Sequence, residues 1–109
     1  MSVDQTNVVD AIGVDNATGE IVLTITDHLD WTESEKHLFL LQEKLNTYLR
    51  FVESGEILET YSNAKDRGIL IDIVGKYQLN ERAQAFYAQV GQIVEGAGIK
   101  FRYRLFSGA

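Results

Sequence analysis

Apolar residues recur along this chain with two periods, and the switches between them predict a β-hairpin followed by helix, strand, helix and strand. Two β-rich runs, Val8 to Val14 and Glu20 to Thr26, flank Asp15-Asn16-Ala17-Thr18-Gly19, a cluster of turn formers ending in the residue that most readily takes positive φ. In the second run Ile21, Leu23 and Ile25 alternate with Val22, Thr24 and Thr26, so one sheet face is fully apolar and the other half so. The period then lengthens. Leu38, Leu41, Leu45, Tyr48, Leu49 and Val52, widened by Leu40 and Phe51, recur at steps of three and four, which predicts an amphipathic helix of about 20 residues. Thr32-Glu33-Ser34-Glu35 has the composition of a capping box at its start, and Ser54-Gly55 supplies its stop.

Residues 56–68 are the least patterned stretch, with a brief apolar pulse at Ile57, Leu58 and Tyr61; they read as a long connection with room for a short edge strand. Ile69 to Val74 is nearly continuously apolar, as a central strand should be. A second helix runs from an Asn80 cap to about Ala97 on the rhythm of Ala83, Phe86, Tyr87, Val90, Ile93, Val94 and Ala97. The last strand, Ile99 to Phe106, alternates apolar residues with Lys100, Arg102 and Arg104, a basic ridge on one face. Short connections around the second helix make the last two strands a parallel, right-handed βαβ unit. The expected fold is α/β, more closely an α+β two-layer sandwich: a β-hairpin then α-β-α-β, giving a four-stranded mixed sheet with two helices on one face. The other face is open. Residues 1–6 are expected to form a disordered tail and 7–107 a single domain.

Composition narrows this picture. With 109 residues, 45% of them apolar and 24% charged, one hydrophobic core is expected. A formal net charge of −6 repels polyanions, which sets nucleic-acid binding low among the functions. The chain has no cysteine, so disulfides, thiolate metal sites and cysteine nucleophiles are excluded together. No basic-then-apolar leader opens the sequence and no apolar run could span a bilayer, so a cytoplasmic protein of bacterial type is the expectation. There is no proline, where average usage of about 5% would give several, and nothing in the sequence accounts for it.

Candidate chemistry gathers at Asp27-His28-Leu29-Asp30-Trp31, which lies where a strand leads into a crossover helix, the usual ligand position of open α/β sheets. Two carboxylates and an imidazole could bind a divalent ion or act in acid-base chemistry, with Trp31 and Tyr77 as further ligand contacts. The competing structural reading is that the aspartates terminate the strand and shape the turn. His37, beside the helix's apolar stripe, reads as a helix-flank residue. Asp72 interrupts the most buried strand, and a buried carboxylate needs a partner; Arg102 or Lys100 on the next strand would supply one. Asp72, Lys100, Arg102 and Arg104 together form a candidate interaction face. Tyr61, Tyr77 and Tyr103 at strand ends could add aromatic contacts to a partner.

Val8-Val9-Asp10-Ala11-Ile12-Gly13 with Thr18-Gly19-Glu20, Asp27 to Trp31, and Ile69 to Ile73 together resemble a family of small bacterial proteins known only as a domain of unknown function. The resemblance covers most of the chain and implies a bacterial cytosolic protein, with no activity or catalytic residue to carry over. No convergent catalytic set and no cofactor motif is legible. A non-enzymatic interaction or homodimerisation domain is therefore the expected function, the alternative being a small metal- or ligand-binding protein or enzyme using Asp27, His28 and Asp30. The expected partners are a second copy or another protein, without nucleic acid or membrane.

Overall fold

Turn chemistry closes the hairpin as the sequence dictates. In a computed structural model, which describes residues 6, 9 and 11–106, β1 (Ala11–Val14) runs antiparallel to β2 (Ile21–Asp27), with Val14 opposite Ile21. Asp15 takes the Ala17 N–H on its carboxylate at 2.8 Å, and Gly19 adopts φ 76°, a backbone region open to glycine at no steric cost. The predicted start of the first strand at Val8 lies outside the described residues, as do residues 1–5 of the expected tail and position 107.

Next come α1 (Ser34–Glu53), α2 (Glu56–Thr60), a 3-10 turn at Ser62–Ala64, β3 (Ile69–Gly75), α3 (Glu81–Gly96) and β4 (Lys100–Leu105). The strands lie in the order β1-β2-β3-β4, with β2, β3 and β4 mutually parallel, so the sheet is mixed and four-stranded. Register sorts the side chains into two faces. Leu23, Ile71 and Phe101 stand in one row and Ile25, Ile73 and Tyr103 in the next, all towards the helices; Thr24, Asp72 and Arg102 stand between them on the other side. The core is built where the first face meets Leu38, Leu41, Leu45 and Tyr48 of α1 and Ala83, Tyr87 and Val94 of α3. Each such leucine contributes roughly 1.5–3 kcal/mol by leaving water. Among the described residues no helix is long and apolar enough to cross a membrane.

Several local expectations change. The capping box does not form: Glu33 is the N-cap of α1 and no side chain caps the helix. The Thr32 N–H is taken by the Asp30 carboxylate at 3.1 Å, and the Glu35 carboxylate reaches across to Arg82 of α3 instead of back to Thr32. Residues 56–60 and 62–64 form short helical turns and no strand, because Gly55 at φ 83° reverses the chain and drops Ile57 into the core, and the Tyr61 N–H then closes a turn on the Ile57 carbonyl at 2.8 Å. On α3 the Asn80 cap forms as expected, its side chain accepting from the Ala83 N–H at 2.8 Å. Ile93, however, is 60% exposed. It borders a cleft between α1 and α3 that Leu45, Leu49, Phe86 and Val90 also line, so the apolar stripe of α3 is wider than the sheet can cover.

Candidate functional site

Strand phase determines where Asp27 goes. Ile21, Leu23 and Ile25 point under the helices, and Asp27, two residues on, follows them inward to 4% exposure. A carboxylate there requires donors. The first turn of α1 supplies one: His37, 2% exposed, places Nε2 at 2.7 and 2.6 Å from the two Asp27 oxygens, and the Leu29 N–H adds a third contact at 3.2 Å. The other ring nitrogen, Nδ1, lies 2.9 Å from the Asp30 carbonyl, and Trp31 stacks on the imidazole at 3.7 Å between centroids. Both ring nitrogens thus face oxygen atoms of the strand-to-helix turn.

Two tyrosines extend this cluster. The Tyr87 ring packs among Phe86, Phe101 and Tyr103, and its buried hydroxyl has no hydrogen-bond partner among the described residues. Burial first, and the nearby Asp27 charge second, push that hydroxyl far above the ordinary tyrosine range. Tyr103 is raised for the same two reasons, and its hydroxyl donates to the Tyr77 carbonyl at 3.0 Å. Gly75, at the end of β3, leaves room for that ring, since a Cβ there would stand 2.5 Å from the Tyr103 oxygen.

The residues singled out in the sequence are thus partly brought together. Asp27 and Asp30 converge on His37, one through its carboxylate and the other through its backbone carbonyl. The Asp30 carboxyl turns outward and is held below the usual carboxylate range by the Thr32 N–H. His28 is exposed and makes no contact with His37, but it borders a shallow depression that Thr26, Asp27, Val74, Lys76 and Phe106 also line. Tyr77 is exposed, with the Lys76 ammonium 5.6 Å from its ring centroid. Among the described residues no three His, Asp or Glu side chains are placed to hold a metal ion. His37 is no flank residue, and its spacing carries the signal: His37, Leu41, Lys44 and Tyr48 follow one helical stripe, all buried, with the Lys44 ammonium over the Tyr48 ring at 5.6 Å.

On the opposite sheet face Asp72, 1% exposed, is gripped by two guanidiniums. Arg102 binds it through Nε and Nη2, both at 3.1 Å, and Arg104 through Nε at 3.0 Å. The Asp72 hydrogen bonds raise Arg102 above its ordinary range. Lys100 pairs instead with Glu20 at 2.8 Å, which holds the Glu20 carboxyl below its usual range.

A family model described as a family of unknown function, DUF6572, matches residues 1–107. No curated protein and no solved structure matches the chain. The match covers nearly the whole sequence, hairpin, crossover helices and basic last strand included, and the chain belongs to the DUF6572 family.

Proposed function

We propose that this protein is a non-enzymatic interaction domain of the bacterial cytosol, working by surface contact and able to form a homodimer. The observation that carries this reading is the closure of the Asp27-His37 couple: both carboxylate oxygens and both ring nitrogens are engaged, and neither side chain faces solvent. A general base or nucleophile must be within reach of a substrate, and these two side chains are spent on one another in the interior, at 4% and 2% exposure. What the fold presents outward is apolar surface on its helices, with Ile93 and Phe39 each 60% exposed. Exposed apolar side chains such as these suit contact with another protein.

Light scattering over a wide concentration range tests the dimer. The expected outcome is a twofold mass at high concentration, reverting to the monomer in Ile93→Glu, a substitution at an exposed position that leaves the fold intact. A monomer at every concentration would remove the dimer from this reading.

A further inference from the structure

The open sheet face changes character along its strands. Over most of its length the charges are matched: Lys100 meets Glu20, and Arg102 and Arg104 both turn inward onto Asp72, with Asp15 also near Arg102. Where β2, β3 and β4 finish, two backbone bonds carry the parallel ladder one residue further. The Lys76 N–H donates to the Asp27 carbonyl at 2.9 Å and the Phe106 N–H to the Gly75 carbonyl at 2.7 Å. Alternation then sets His28, Lys76 and Phe106 in a row on the open face, beyond the row of Thr26, Val74 and Arg104. A depression of about 240 Å³ lies there, with Val74 in its floor and Phe106 in its wall. The segment that carries Lys76 is fixed in place, because the Tyr103 hydroxyl donates to the Tyr77 carbonyl and Gly75 lets that ring approach.

This end of the face offers an apolar bed with a cation at its rim. Phe106 is 59% exposed and Val74 half-buried. Lys76 and His28 are both exposed; the Lys76 ammonium lies near the Tyr77 ring, and neither side chain has a carboxylate partner among the described residues. The acids nearby are engaged elsewhere. Asp27 borders the depression, but its carboxylate points under the helices to His37, and Asp72 is held by its two arginines. One unmatched lysine is too little for a polyanion against a net charge of −6. A bare phosphate would leave Val74 and Phe106 uncovered, whereas ligand sites combine an apolar lining with a few placed polar groups. We propose that this depression binds a small aromatic carboxylate, its ring on Val74 and Phe106 and its carboxylate at Lys76, beside the imidazole of His28. The site lies on the sheet face opposite the helices and is independent of the contact surface proposed for them.

Titration of the full chain with cinnamate, followed by NMR through its backbone amide resonances, tests it. Saturable shifts are expected at residues 26–28, 74–76 and at Phe106, with a Kd of about 1 mM or below. Cinnamamide keeps the ring and the shape without the charge and should bind at least about fivefold more weakly. Lys76→Gln and Phe106→Ala, both at exposed positions, should each weaken cinnamate several-fold while the other resonances stay in place. No saturation up to about 10 mM, equal binding of cinnamate and cinnamamide, an unaltered affinity in Lys76→Gln, or shifts confined to the cleft between α1 and α3 would each overturn the proposal. The comparison of the two ligands uses the unaltered protein, so it decides the question whatever the variants do. Light scattering bears on the dimer alone, and a monomer that binds cinnamate supports this site while removing the dimer.

Discussion

His37 and Asp27 depend on each other because each is buried by the fold's own periodicity and neither can be solvated where it lies. His37→Leu leaves a buried carboxylate without its main donor and should cost about 3–5 kcal/mol in urea unfolding, whereas adding Asp27→Val removes the stranded charge and should recover most of that loss. Tyr87→Phe should behave oppositely. Its hydroxyl has no partner among the described residues, so the substitution should be neutral or stabilising by up to about 1 kcal/mol. The same residue sets an alkaline dependence: folding raises the Tyr87 hydroxyl above its unfolded value of 10.0. Its contribution is complete below that pH. Above it the unfolded chain releases the proton first, so stability falls as pH rises, and Tyr87→Phe should flatten the decline by up to about 1.4 kcal/mol per pH unit.

Among the elements, the end of β3 is the most constrained. Gly75→Ala sets a methyl against the Tyr103 ring, whose hydroxyl is anchored on the Tyr77 carbonyl, and should lower stability by about 1–3 kcal/mol; pairing it with Tyr103→Phe should return part of the loss in thermal unfolding. Most of the architecture was legible because two periods, 2 and 3.6, separate strands from helices without tertiary information. The Asp72-Arg102 pairing was legible too, since a continuous strand beside an alternating one brings the lone carboxylate and the basic residues onto the same face. The five-residue helix α2 was not, because Ile57 and Leu58 are too few to show a period, and its helix depends on the reversal at Gly55. Nor was the Asp27-His37 couple. Local reading grouped Asp27 with its sequence neighbour His28, while the contact that forms joins residues ten apart across a strand-to-helix turn.

For the molecule as a whole, part of the response to acid should run through three carboxylates outside the core. Glu20 beside Lys100, Asp30 beside the Thr32 N–H and Glu35 beside Arg82 are all held below their ordinary values. Their stabilisation is present above the unfolded values of 4.5 and 3.8 and is lost as pH falls through the lowered ones. Because these pairs lie at the surface, the acid midpoint should move upward with added salt, which thermal melts across ionic strength would record. The sheet order β1-β2-β3-β4 carries a different consequence, for biosynthesis. A ribosome delivers the strands in the order in which they pair, so each new strand docks on the rim left by the one before and never inserts between two already joined. While growth is under way that rim is the apolar β2 and then β3, the state most open to pairing with other nascent chains. Arrival of β4 replaces it with lysine and arginine, and the strand that completes the fold also removes the interval in which it could coaggregate.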